Sequence, residues 1–414
     1  MNKKTVAVQV LSGNPFTFNA FINNFFSNWY DLVDKLYIQI DTTTESYSHF
    51  FPEIKKFFYD VCKNDPKIVI KEYPYKLKEF KYNNIQFDNE DSINRLDYHG
   101  SILRTFLDDA TEDIVLFTHD DCYILDNNFL KEAIDSIANN EKDFAFISCG
   151  GVSPSHYVSE LYQKHFPDIY KQIYKIESYD KMVGITTCFF MANRLDLINT
   201  NCWYDQKTFK KGEISDVFPE TVLEEDIFLD VAIYSLYQLF NKKLNRINSL
   251  NIEDNIVLFD LFGFDNELEF NKKSAGFKRA GMIHFTSSCL VKNLVYRYLQ
   301  NNRLVFEPDE SSVYGTTAFL ERIIFDYLSI LNFFDFETYS YLNTFKNIYI
   351  KTFENLVSDY NKFIINFEFS DERFKKLNLT NKNTPPYQID LSKIPYSRIN
   401  EIIDIHVYTN NPIL

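Results

Sequence analysis

The stretch Ile114-Val115-Leu116-Phe117-Thr118-His119-Asp120-Asp121 sets adjacent carboxylates directly behind an apolar run. Such a run reads as a buried strand, and open α/β sheets bind ligands at the carboxyl ends of their strands. Two acids there can hold a hard divalent cation that keeps open positions for the oxygens of a diphosphate. They can equally cap the helix that follows. A second acidic group, Glu224-Glu225-Asp226, opens a stretch over residues 226–240 whose apolar spacing predicts a helix. Acids in a first turn are favoured by the helix dipole. A carboxylate so placed can also take a proton from a hydroxyl. His284 ends the short apolar segment Gly281-Met282-Ile283-His284. A histidine there is either a hydrogen-bonded structural residue or a metal ligand.

These residues need a frame. Residues 5–11 are apolar and β-branched and break at Ser12-Gly13-Asn14-Pro15, which predicts a strand ending in a turn. Phe18, Phe21, Ile22, Phe25, Phe26 and Trp29 follow at helical spacing. A strand over 36–40 with Asp41 at its carboxyl end, a helix over 52–61 and a strand over 67–72 come next. That alternation predicts a mostly parallel sheet with helices on its faces. Residues 73–91 read as a loop and 92–109 as a helix that carries Arg95, His99 and Arg104. Those three could reach a phosphate or line a solvated face. Beyond the acidic strand, a helix capped by Asn127-Asn128 and strands over 144–148, 183–192 and 281–285 follow. Ser287-Ser288 caps a further helix, and residues 316–334 and 339–366 read as aromatic-rich helices. A boundary near residue 305 divides a catalytic part, 1–305, from a mainly helical region, 306–414.

The 414 residues suffice for two cores. The net charge of -15 and the lack of any long Lys/Arg run argue against nucleic acid as the main partner. The 41 Phe and 28 Tyr reflect an AT-rich coding sequence as readily as a function. Six cysteines at 62, 122, 149, 188, 202 and 289 form no C-x-x-C pair, which suits a reducing cytosol. Met1-Asn2-Lys3-Lys4 leads into a short strand rather than a signal peptide. The most apolar stretch, 319–336, contains Glu321, Arg322, Asp326 and Asp335, so no membrane span is expected. The expected location is cytoplasmic, with the inner face of a membrane as a peripheral alternative.

A strand ending in Asp41, an apolar strand ending in paired acids, a Glu-Asp pair and a strand-borne histidine follow one another in a familiar order. The chain resembles the GT-A glycosyltransferases, particularly the large inverting family 2 group, over roughly residues 5 to 300. The resemblance implies a Rossmann-like, mostly parallel mixed sheet flanked by helices, here with a C-terminal helical extension. It implies a nucleotide-sugar donor (a UDP-sugar is favoured), Mn or Mg, and a glycan, lipid-linked or protein acceptor. His119, Asp120 and Asp121 match the family's D-x-D positions, with His119 in place of the first Asp. Asp121 is then the expected metal ligand, and Asp120 and His119 are expected near the nucleotide sugar. Ser12 and Asn14 match the first nucleotide loop, and Asp41 the acid that contacts base or ribose. Glu225-Asp226 matches the E-D motif, whose Asp226 is the expected base. His284 matches a histidine that completes the metal or diphosphate site. Residues 184–191 followed by Arg194 resemble the strand before the acceptor region.

On that pattern, Asp226 deprotonates an acceptor hydroxyl that attacks the anomeric carbon with inversion. Trp203 or Tyr204 could stack on an acceptor sugar, or simply pack in a core. Rival readings are a sugar nucleotidyltransferase, though Ser12 to Phe16 lacks that class's basic Gly-rich loop, and a transferase acting on DNA bases, which the charge disfavours. A non-catalytic nucleotide- or glycan-binding protein is a further alternative. The C-terminal helices could bind acceptor, lie against a membrane or mediate self-association.

Overall fold

The computed structural model describes residues 4–41, 51–73, 103, 105–124, 127–139, 144–148, 151–152, 156–167, 182–183, 189–200, 207–215, 217–218, 220–229, 247–251, 256–258, 282–284, 334–365, 388 and 390–391. The loop expected over 73–91, most of the 92–109 helix, Arg95, His99 and Arg104 lie outside them. So do the 287–298 and 316–333 helices, Trp203 and Tyr204.

Strand β1 (Val6–Ser12) pairs in parallel with β2 (Lys35–Asp41), and β2 pairs in parallel with β3 (Ile68–Tyr73). On its other side β1 pairs in parallel with β4 (Ile114–His119). A short strand β5 (Cys122–Ile124) follows β4 after a tight turn. The main sheet is completed by β6 (Phe144–Ser148), β9 (Phe189–Asn193) and β12 (Ile247–Asn251), giving the order β12-β6-β9-β4-β1-β2-β3. Only β9 runs against its neighbours, β4 and β6. This mixed, mostly parallel sheet covered by helices on both faces is the architecture that the GT-A resemblance implies.

Strand periodicity explains the two cores. Successive side chains of a strand point to opposite faces. Val6, Val8, Val10, Leu36, Ile38, Ile40, Ile114 and Leu116 face one apolar cluster. There they meet α1 (Pro15–Asn24), α2 (Phe51–Cys62) and α3 (Asn127–Ala138). Ala7, Tyr37, Val115, Phe117, Phe146 and Phe190 face the other cluster. Here α4 (His156–His165) and α5 (Arg194–Thr200) contribute Val158, Leu161, Tyr162 and Leu197. Residues 105–109 are helical, and Phe106 and Leu107 belong to this second cluster. With both faces buried, β1 and β4 are apolar almost throughout, as central parallel strands must be. Gln9, a polar residue in the middle of β1, is buried and donates from Nε2 to Gln39 Oε1 of the neighbouring strand at 2.7 Å.

Two expectations are corrected. Residues 227–229 form a strand, β11 (Ile227–Leu229), rather than the start of a helix. It pairs antiparallel with β10 (Lys207–Phe209) and buries Phe209, Ile227 and Leu229 in the second cluster, a period-two placement that the hairpin imposes. The rest of the expected 226–240 helix lies outside the described residues. The single strand expected over 183–192 is two elements: β8 (Met182–Val183) pairs with β7 (Gly151–Val152), while β9 enters the main sheet.

Near the C-terminus, α6 (Asn343–Ile365) buries Phe345, Tyr349, Phe353, Val357 and Tyr360, one stripe at helical spacing. These join the first cluster, beside α1 and α2. The described part of the C-terminal region is therefore packed into the core of the sheet domain. No helix among the described residues is long and apolar enough to cross a membrane.

Candidate active site

Parallel pairing brings the carboxyl ends of the first four strands to one edge of the sheet. Ser12 is in register with Ile40, Asp41 with Tyr73, and Leu11 with His119. Ser12, Asp41 and the His119-Asp120-Asp121 turn therefore share that edge. Only the backbone of Asp41 is described.

Asp120 and Asp121 are both buried, Asp121 with 1% of its side chain exposed. Asp120 Oδ2 accepts two hydrogen bonds, from Ser12 Oγ at 2.5 Å and Thr17 Oγ1 at 2.8 Å. This carboxylate is a strut that joins the acid turn to the start of α1. Burial, and next the charge of Asp121, push the Asp120 carboxyl up to about 7 against the pull of those hydroxyls. Asn14 works in the same place as the N-cap of α1: its Oδ1 accepts from Phe16 N at 3.0 Å. Thr17 carries no motif, and its role was missed in the sequence. Its position one turn into a helix that follows a Ser-x-Asn-Pro turn is the one signal that could have suggested it.

His119 is 25% exposed, and its Nδ1 lies 3.8 Å from Asp121 Oδ1. Two donors bonded to one cation at ~2.1 Å each can stand up to about 4.2 Å apart. Imidazole nitrogen and carboxylate oxygen are together a donor set for Mn-type divalent ions. The paired buried carboxylates also create a local negative charge that a cation would relieve. On these grounds the residues present fit a divalent cation. Cys122 Sγ lies on the same carboxylate oxygen at 3.9 Å.

The second acid-turn neighbour comes from far along the chain. Strand β14 (Met282–His284) lies between β5 and β13 (Ile256–Leu258) in a three-stranded sheet. It pairs antiparallel with β5, and His284 stands opposite Cys122. The backbone of His284 is thus brought to the residue next to Asp121; its side chain is not described. Among the described residues no group of three or more His, Cys, Asp or Glu side chains forms a ligand set.

Asp226 and Glu225 are exposed and stand at the head of β11. Asp226 Oδ2 accepts from Lys210 Nζ at 2.8 Å and Oδ1 from the Lys211 backbone N at 2.8 Å. The Lys210 hydrogen bond, followed by that from Lys211, holds the Asp226 carboxyl below its ordinary value. In this arrangement Asp226 ties the hairpin closed, and its described contacts lie within it. Glu224 N donates to Tyr157 Oη at 2.8 Å, joining the hairpin to α4. Arg194 donates from Nε to Leu107 O at 2.9 Å, a structural contact beneath the sheet.

No family profile matches the chain, and no curated protein matches its sequence. Solved structures that resemble it include glucosyl-3-phosphoglycerate synthase from Mycobacterium tuberculosis with Mn2+, UDP and glucosyl-3-phosphoglycerate (15% identity, 60% of this chain, 70% of that chain, TM-score 0.33). The same enzyme with Mn2+, UDP-glucose and glycerol 3-phosphate gives 14% identity, the same coverage and a TM-score of 0.33. A mycobacterial protein shares 12% identity over 60% of this chain and 65% of its own, with a TM-score of 0.33. These are distant likenesses.

Proposed function

We propose that this chain is a metal-dependent glycosyltransferase that moves a sugar from a nucleotide diphosphate, a UDP-sugar in the favoured case, to an acceptor hydroxyl with inversion. The observation that carries the reading is the meeting of three remote segments. At the carboxyl edge of the sheet, Ser12 and Thr17 bond to the acid turn after β4, and the strand bearing His284 pairs with the residues that directly follow that turn. That edge is where a doubly wound sheet takes a nucleotide.

In this reading Asp121, with His119 and His284, holds Mn or Mg. Bound there, the cation would neutralise charge on the diphosphate as it leaves, an interaction strongest in the transition state. Asp120 acts through Ser12 and Thr17, keeping the nucleotide loop and the acid turn in one frame. Asp41, at the end of β2, is assigned to the ribose or base, and Asn14 to the shape of the loop. Asp226 accepts the acceptor's hydroxyl proton while the new bond to the anomeric carbon forms and the bond to the diphosphate breaks; Glu225 stands beside it. For this, Lys210 must release Asp226 Oδ2, because an ion-paired carboxylate held below its ordinary value is a poor base. Trp203 is assigned to the acceptor.

The test is turnover of UDP-sugars, by hydrolysis or by transfer to a panel of acceptors, with and without Mn2+. Metal-dependent turnover is expected, and Asp226→Asn should lower it by ~10²–10⁴ while leaving donor binding intact. An Asp226→Asn variant as fast as wild type would remove Asp226 from the mechanism. The involvement of both Asp226 carboxylate oxygens with Lys210 and Lys211 favours a second reading, a non-catalytic nucleotide- or glycan-binding protein. Mn2+-dependent nucleotide binding with no turnover of any donor would establish it.

A further inference from the structure

Helix α1 ends in a wider turn, a single π-helical segment Phe25–Trp29, closed by Tyr30 N donating to Phe25 O at 3.0 Å. Such insertions cost regular helix geometry and are commonly found where a functional site needs a side chain re-aimed. Here Asn24, at the end of α1, and Asn28, within the segment, converge on one residue of β5, and Trp29 stands against Asn24. Asn24 is fully buried. Its Nδ2 donates to Ile124 O at 2.8 Å, and its Oδ1 accepts from Ile124 N at 2.8 Å and from Trp29 Nε1 at 2.6 Å. Asn28 Nδ2 adds a second donor to Ile124 O at 2.9 Å.

A carboxamide presents the same donor and acceptor as a peptide group. Asn24 therefore makes on the edge of β5 the pair of bonds that a further strand would make. The opposite edge of β5 pairs with β14, in the register that sets His284 against Cys122. β5 is three residues long and starts one residue after Asp121. A strand so short has little pairing of its own to hold it, so its position is decided by what grips it on either side.

We propose that Asn24 is a positioning residue for the metal site: its carboxamide clamps β5, and so fixes the register in which Asp121 and His284 meet. The inference rests on the metal-dependent reading given above. The π-helical segment adds Asn28 to the clamp and sets Trp29 against the Asn24 carboxamide. Asn24 itself touches neither metal nor substrate, and acts through β5.

The experiment is Mn2+ titration of the full-length chain, following loss of the free-ion electron paramagnetic resonance signal, with a thermal melt of each protein. Asn24→Ala should weaken Mn2+ binding by about tenfold or more, the range typical of groups that support a metal's ligands. Trp29→Phe removes a hydrogen bond to the same carboxamide oxygen but leaves both contacts to Ile124. It should melt earlier while binding Mn2+ with wild-type affinity, which a merely structural role for Asn24 would not separate. Asn28→Ala, at a partly buried position, should weaken Mn2+ less than Asn24→Ala and serves as the deciding variant if Asn24→Ala does not fold. Wild-type affinity in a folded Asn24→Ala, or failing that in Asn28→Ala, would overturn the proposal. So would equal losses in Asn24→Ala and Trp29→Phe. Failure of the underlying metal reading looks different: wild type binds no Mn2+, or Asp121→Asn binds it as wild type does.

Discussion

Asp120 and Asp121 are neighbours of one type in one turn, yet their surroundings divide them. Asp120 is bound by two hydroxyls and carries the connection to α1, whereas Asp121 faces the His119 imidazole. The division lies in the turn between β4 and β5, which gives the two side chains different neighbours. It makes Ser12 and Thr17 partners of a buried carboxylate, and hydrogen bonds to charged groups contribute ~1.5–3 kcal/mol each. Thr17→Val should therefore lower unfolding free energy by about that amount in urea titrations at a pH well above the value of about 7 to which Asp120 is pushed, where the carboxylate is ionised. Ser12→Ala should do the same, and the double variant should lose more than the sum, because either hydroxyl alone still serves the buried oxygen and their joint loss strands it. Strict additivity would mean that the two do not share Asp120.

At the scale of elements, positions are decided by pairing and by capping rather than by propensity. β11 is a strand because β10 is beside it, and β5 is held by Asn24 on one edge and β14 on the other. A comparable link joins α2 to the turn before α6. Burial raises the Asp60 carboxyl, but hydrogen bonds from Lys56 and Tyr341 outweigh it and hold the group below its ordinary value. A carboxyl lowered by folding adds stability above its unfolded value, about 3.9, and this is lost as pH falls through the lowered value. Tyr341→Phe should thus reduce the urea midpoint at pH 7 and reduce it less at pH 2 to 3. A deficit that is the same at both pH values would show that Asp60 is not the partner that matters.

The described residues are organised around the sheet, and residues 334–365 are part of its first core. Phe16, two residues beyond the Asn14 cap, meets Phe334, Phe336, Phe345 and Tyr349 at ring-centroid distances of 5.1 to 5.8 Å. Phe57 of α2 meets Phe334 and Tyr339. The segment therefore abuts the same turn of α1 whose Thr17 holds Asp120. Truncating one buried aromatic costs ~3–5 kcal/mol, and whole domains are stable by ~5–15 kcal/mol. A chain ended at residue 305 loses Phe334, Phe345, Tyr349, Phe353, Val357 and Tyr360 together. It should show no cooperative melting transition by circular dichroism. A sharp transition near that of the full chain would establish residues 1–305 as an independent unit.

The periodic segments were legible before folding was considered. β1, β2, β3 and β4 follow from apolar runs ended by turn residues, and α2 and α6 from stripes at helical spacing. Such patterns record which faces are buried, and burial is a local property that each segment writes into its own residues. The order of Ser12, Asp41, Asp120-Asp121 and His284 at strand ends was readable for the same reason. Tertiary structure alone decided which remote segments meet. Nothing in Asn24 distinguishes it from an ordinary helix residue, Thr17 is marked only by its place after the Ser12 to Pro15 turn, and nothing in residues 226–229 separates a helix start from a hairpin strand. β5, β10 and β13 are three residues each and lack the length to show a period, and β12, Ile247-Asn248-Ser249-Leu250-Asn251, is mostly polar. Their conformation is stabilised by hydrogen bonds to partners distant in the chain, and that pairing is a property of the assembled fold.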